Sequence, residues 1–236
     1  MMELRPYLSP AEHLDDSLEL VRLLLLRHVL RHWYRLTDSS GKLNDLFVSL
    51  EEARQTLIAG FGQLRPTAFA QMPDLPLVEQ SIAEQRASMR AREAISIVRL
   101  PLLQIARAFA LDALSVNVLQ VLAAVQLELS LHRAATFAWA DATTKVPTLG
   151  FVAELIADDR DALRQAQRLA SPLSPLRRFH LTSFQHDDRW GRDTPDLFLR
   201  LSLPQRILQH LLSDPPDSPI QTQNPHLADP LLARLL

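Results

Sequence analysis

The sequence predicts a mainly α protein, with a helical N-terminal part followed by a winged-helix-like domain that carries one small β-hairpin. Three observations predict it. From Phe109 to Ser213, helical patterns give way to one pair of short alternating segments and then a last amphipathic helix. That helix-helix-helix-hairpin-helix order is the order of a winged helix. Only 5 glycines and 6% aromatic residues in 236 leave too little turn and strand material for a sandwich or barrel. A hydrophobic share of 47% against 22% charged supplies a core for one large domain or two ordinary ones. The pattern divides the chain into residues 1–108, 109–213 and a linker over 214–236.

In the first part, Ser9 with Glu12 three residues on reads as a capping box, and Pro10 suits the first helical position. Leu14, Leu18, Val21, Leu25, Val29 and Trp33 then share one side of a helix that should end near Leu36, before Thr37-Asp38-Ser39-Ser40-Gly41. Arg22, Arg27, His28, Arg31 and Arg35 are expected to decorate the rest of it in water. Leu46-Phe47-Val48 reads as a short extended piece. Ser49 and Glu52 form a second capping box for a helix through Leu57 and Ile58 to Gly60. Pro66, Pro73 and Pro76 mark a loop. A long helix from Leu77 is polar at first and apolar by Ile95, Ile97 and Val98, and Pro101 should kink or end it.

In the second part, Asp112 is positioned to cap a helix bearing Leu114, Val118, Leu119, Leu122 and Val125. A second helix is expected from Ser130 to Ala142, with Leu131, Ala135 and Trp139 inward. Thr148 caps a third, through Phe151, Leu155 and Ile156. Asp161 to Leu169 follows, and Ser174-Pro175 opens one more turn. His180–Phe184 and Leu197–Leu201 alternate as strands, and the polar Gln185–Asp196 segment between them, with Gly191 and Pro195, is the expected wing. Gln205 to Leu212 closes the domain as a helix. Five prolines in the tail after Ser213 mark a linker.

The formal net charge is −2, which gives no global electrostatic case for nucleic acid or an anionic membrane. Lys42 and Lys145 are the only lysines, leaving 23 arginines, a bias that genome composition explains as well as binding does. Cysteine is absent, which excludes disulfides, thiolate chemistry and Cys-ligated zinc, and suits a reducing cytoplasm. The N-terminus lacks the order of a signal peptide, and the longest apolar run, Leu23 to Leu26, is bracketed by Arg22 and Arg27.

No catalytic motif emerges. A phosphate-cradling loop needs glycines followed by Lys and Ser or Thr, but Gly60-Phe61-Gly62 has no such sequel and neither lysine has that context. No nucleophile sits on a glycine-flanked elbow. His28 and His32, four apart on the first helix, have the spacing to present two imidazoles to one zinc. With no acidic third ligand adjacent on that face and arginines around them, they are expected to form a solvated basic face. His180, His186, Asp187 and Asp188 at the hairpin read as a polar loop. The expectation is therefore no catalytic, cofactor-binding or metal-binding residue in this chain.

Nucleic acid is the main competing partner, because winged helices often read DNA with the third helix. That helix, taken as Thr148 to Ala157, offers Phe151, Glu154 and Leu155, with Asp158 and Asp159 beyond, a face that repels phosphate. In the wing, Asp187, Asp188 and Asp193 offset Arg189 and Arg192. Arg160, Arg164 and Arg168 recur at spacings of four, and Arg177 and Arg178 follow. Trp33 and Tyr34 are residue types favoured at interfaces, so self-association is the functional alternative to their burial.

The segments FALDALSVNVLQVLAAVQLEL, KVPTLGF, SPLRRFHL and LSLPQRILQHLL resemble the N-terminal region of a group of bacterial AAA+ ATPases. In that group a helical, winged-helix-like region precedes the ATPase core, and some members accompany extracellular contractile injection systems. Phe109, Leu111 and Asp112 fit its Phe-x-Leu-Ser-Pro helix start, with Asp112 in place of Ser and Ala113 in place of Pro. Pro147, Thr148, Leu149 and Gly150 fit its Pro-Thr-Val-Gly turn. Leu201, Leu203, Arg206, Ile207, Leu211 and Leu212 fit its last helix, with Pro204 where Asp is usual. Leu46 to Glu52 is similar to its Leu-Tyr-Ile-Ser-Asp-Glu-Glu segment. The likeness spans residues 10–213 and rests on packing and capping positions, so it transfers no catalytic residue. It implies a cytoplasmic, non-catalytic region that recognises a protein client or docks onto an assembly, with ATP and magnesium confined to an ATPase core beyond residue 236. The residues expected to contact the partner are Arg164, Arg168, Arg177, Arg178, Arg189 and Arg192. The alternative is a stand-alone winged-helix DNA-binding regulator.

Overall fold

The computed structural model describes residues 5–38, 56–58, 74–139, 146–186 and 191–213. Among these, nine helices and a two-stranded antiparallel sheet are delimited, so the fold is mainly helical with one hairpin, as the pattern predicts. The expected segments Leu46–Val48 and Gly60–Gly62, Lys42 and Lys145, and the linker over 214–236 lie outside the described residues. Of Trp33 and Tyr34 only the backbone is described.

The first helix, α1 (Pro10–Asp38), starts where the capping box places it. Ser9 Oγ accepts from the Glu12 N–H at 3.3 Å, and the Glu12 carboxylate accepts from the Leu8 N–H at 3.3 Å. Its middle departs from expectation. Leu23, Leu24, Leu25, Leu26, Arg27, His28 and Val29 are all buried, so the helix is enclosed on every side rather than along one stripe. A helix apolar all round belongs inside a core. Arg27 and His28 are therefore not solvated decorations: each is less than one-tenth exposed.

Helix α2 (Leu75–Ile95) lies along α1 and is fastened to it by polar contacts. Arg92 donates to Asp16 at 2.6 Å and Glu12 at 2.9 Å while its guanidinium lies over the Tyr7 ring at 3.9 Å. The Tyr7 hydroxyl donates to Asp16 at 2.8 Å, and His13 bonds Glu93 at 2.9 Å. Burial, with the Asp16 carboxylate beside it, pushes the Tyr7 hydroxyl well above its ordinary pKa, so it stays a neutral donor. Pro101 does not kink α2. The helix stops at Ile95, and Pro101 opens α3 (Pro101–Ala108), its ring preset for the first helical turn.

The second half is built around α4 (Ala113–Leu127), capped by Asp112, which accepts from the Ser115 N–H at 2.8 Å. Val118 through Val125 are all buried. The chain turns by 112° at Glu128, whose carboxylate caps α5 (Leu129–Ala138), a helix shorter than expected. Thr148 caps α6 (Leu149–Ile156), and Asp159 caps α7 (Arg160–Gln167), which ends in a 3-10 turn over Arg168–Ala170. A single turn, α8 (Pro175–Arg178), precedes the hairpin, and α9 (Gln205–Leu212) follows it with the bounds the sequence predicts.

The strands are shorter than predicted: β1 (Ser183–Gln185) pairs with β2 (Arg200–Ser202) in the register Phe184 opposite Leu201. Leu197 is not in a strand, because Pro195 opens a 3-10 turn over Asp196–Phe198. A third partner joins from upstream. Thr148 bridges Arg200, with the Leu149 N–H donating to Leu199 O and the Leu201 N–H to Pro147 O, both at 2.8 Å. Gln126 then closes the end of β2, accepting from the Leu203 N–H at 2.7 Å and donating to Leu203 O at 3.4 Å.

One contiguous apolar core runs from Leu18 to Leu211 and crosses the 108/109 position without a break. Helix α1 packs on α4, α5, α6 and α9 as well as on α2.

Gly150 lies where this core meets the hairpin. A Cβ there would stand 3.0 Å from Leu197 O and 3.5 Å from the Leu197 side chain. Gly150→Val should therefore push the 3-10 turn off α6 and cost about 1–3 kcal/mol, read as a lower midpoint in urea unfolding.

Candidate functional site

The strand-like Pro147–Leu149 segment changes which helix occupies the recognition position. It pairs with β2 and leads into α6, so α6 and α7, joined by residues 157–159, form the helix-turn-helix. The second helix of such a pair is the one that usually faces a partner. Here that helix is α7, not the Thr148–Ala157 helix that sequence reasoning assigned.

The α6 helix is part of the core. Leu149, Phe151, Val152, Ala153, Leu155 and Ile156 are buried, and Glu154 is its exposed side chain. Phe151 and Leu155 therefore offer no outward face. The Phe151 ring packs edge-on to His28 at 5.2 Å and to Trp139 at 5.6 Å.

The turn between α6 and α7 is pinned to α1. Arg27 donates to Leu155 O at 2.8 Å and Ala157 O at 3.3 Å, and it forms an ion pair with Asp158. These carbonyls belong to the C-terminal end of α6, which lacks intrahelical donors and favours a cation. Arg86 of α2 reaches the other Asp158 oxygen at 2.9 Å. Burial pulls the Arg27 pKa down, opposed by its bond to Asp158. Burial tends to raise the Asp158 pKa, but the bonds from both guanidiniums outweigh it and hold the carboxyl below its ordinary value.

Helix α7 presents the outward surface. Arg160, Asp161, Arg164, Gln165 and Arg168 are exposed, and Ala166 turns inward. From Asp158 to Arg168 the charges balance, with three carboxylates and three guanidiniums. Arg164 pairs with Asp161 at 3.0 Å, both largely in water, a contact of little energetic weight. The exposed Leu173 lies just past the helix, 85% accessible.

The predicted contact residues divide by environment. Arg164, Arg168 and Arg178 are exposed. Arg177 is half-buried, donates to Ala170 O at 2.7 Å and lies over the Phe184 ring at 5.5 Å, which ties α8 to the 3-10 turn after α7 and to β1. Arg189 lies outside the described residues, as do Asp187 and Asp188, and of Arg192 only the backbone is described. Gly191 takes φ +55, and Thr194 bonds back to its carbonyl at 2.6 Å, closing that side of the wing.

Sequence reasoning missed two features. Arg27 reads as one more arginine on a basic face, because its partners lie 128 to 131 residues away. The His28–His32 pair has an acidic neighbour after all, since Glu154 arrives from α6.

The ion pair at the turn carries a pH signature. A depressed carboxyl pKa contributes stability that is present above the unfolded value of about 3.9 and lost as pH falls through the folded value. Wild-type protein should thus melt higher than Asp158→Asn at neutral pH, and the gap should close as the pH drops below about 4. Arg27→Met, which keeps the apolar stem but orphans two carbonyls, should cost about 2–3 kcal/mol in chemical denaturation.

Residues 1–222 match the family described as "Winged helix domain, variant". No curated protein and no solved structure matches the chain.

Proposed function

The chain belongs to the family of variant winged helix domains, and from that premise we propose that it is a protein-docking module, the non-catalytic N-terminal region of a AAA+ ATPase. Its client or assembly partner binds at the α7–α8 surface. The AAA+ assignment rests on the sequence resemblance set out above, which also makes a contractile injection system the assembly to test first. The docking assignment rests on the mixed charge of the segment from Asp159 to Arg168, in which two carboxylates stand beside three guanidiniums. A DNA-reading helix needs net positive charge towards phosphates, whereas this one starts with Asp159 at its cap and Asp161 in its first turn, at the end that would enter the groove. Mixed charges beside an exposed leucine suit a protein interface with a polar rim.

One observation favours the second reading, a stand-alone DNA-binding regulator. Arg160, Arg164 and Arg168 share the exposed side of the helix in the recognition position. Phosphate binding by them would release counterions and fall steeply with salt.

The triple charge reversal Arg164→Glu, Arg168→Glu and Arg178→Glu separates the two. All three side chains are exposed, so the melting temperature should hardly move. Affinity capture from an extract of the source cells should retain a protein with wild-type bait and lose it with the triple variant, while neither retards duplex DNA. Salt-dependent retardation by wild type, abolished in the variant, would establish the DNA reading instead.

A further inference from the structure

Beside the Arg27 pin, α1 and α6 bring a second polar group together. His28 and His32 sit one turn apart on α1 with ring centroids 4.4 Å apart. Glu154 projects from α6 towards them, and one ligand atom from each of the three lies within 4.8 Å of the others. We propose that His28, His32 and Glu154 bind a divalent transition-metal ion, zinc in the first place, which ties α1 to the first helix of the helix-turn-helix.

The donor set fits the ion. Two imidazoles and one carboxylate are ligands zinc accepts, and the i, i+4 spacing presents both rings on one side of α1. The three donors leave one tetrahedral position for water on the exposed Glu154 side. His28 is buried against the edge of Phe151, which gives the site an apolar wall and holds one ligand in place before the ion arrives. His32 and Glu154 have more freedom to close the remaining distance, being half-buried and exposed.

Among the described side chains, the arginines flanking the pair are already neutralised by carboxylates. Arg27 is paired with Asp158, and Arg31 is paired with Glu79 at 2.7 Å. The ion would act on the same α1–α6 contact that Arg27 holds. The site uses no residue of the α7–α8 surface, so it stands independently of the docking assignment.

Calorimetric titration of the chelator-treated protein with zinc, alongside thermal melts, tests the site. Wild type should bind one equivalent and melt higher with zinc but not with magnesium. His32→Ala and Glu154→Gln should each weaken binding about tenfold or more and lose the zinc-dependent rise, with metal-free melting temperatures close to wild type. His186→Ala, at the exposed hairpin edge, should bind as wild type does. Failure of wild type to bind saturably, or undiminished binding by either His32→Ala or Glu154→Gln, would overturn the proposal.

Discussion

The Arg27 guanidinium is the constraint on which the arrangement turns. It lies in the enclosed stretch of α1 and is satisfied by the carbonyl end of α6 and by Asp158 in the following turn. A buried guanidinium must find acceptors or it cannot stay buried. Burying α1 on all sides therefore also sets where α6 ends and where α7 begins. Arg86 adds α2 to the same carboxylate, so the N-terminal helices and the helix-turn-helix share one anchor.

This anchor explains why, of the two helices in the helix-turn-helix, α6 is buried and α7 keeps an exposed face. In a free-standing winged helix, the helix-turn-helix packs on its own small core. Here α1 occupies one side of α6, and the hairpin approaches closely enough at Gly150 to touch the other. The outer helix keeps a solvated face of mixed charge, next to α8, which Arg177 fastens in place. The result is a helix-turn-helix held between α1 and the hairpin, with α7 on its solvent side.

What was legible in the sequence was local. Asp112 and Thr148 announce their helices because a cap bonds three residues on. Helix α9 was legible as an amphipathic segment over Gln205–Leu212, with Ile207 and Leu211 four apart on its buried side. The hairpin was legible, but its strands were read too long, because alternation at Leu197 and Leu199 looks the same whether the backbone is extended or coiled into a 3-10 turn. Long-range facts were not legible. Thr148 pairs with Arg200, Arg27 with Asp158 and His28 with Phe151, contacts between residues far apart in the chain. They place α7 rather than α6 second in the helix-turn-helix, and they bury Arg27 and His28 of the face read as solvated while leaving Arg31 exposed.

The most direct test of this account is native-state hydrogen exchange at α1. If α1 is the shared core of both halves, amides around Leu23–Val29 should exchange only through the same global opening as those of Val118–Val125 in α4, with equal opening free energies. Exchange from α1 at a markedly lower free energy, with α4 still protected, would show that residues 109–213 stand alone and would contradict it.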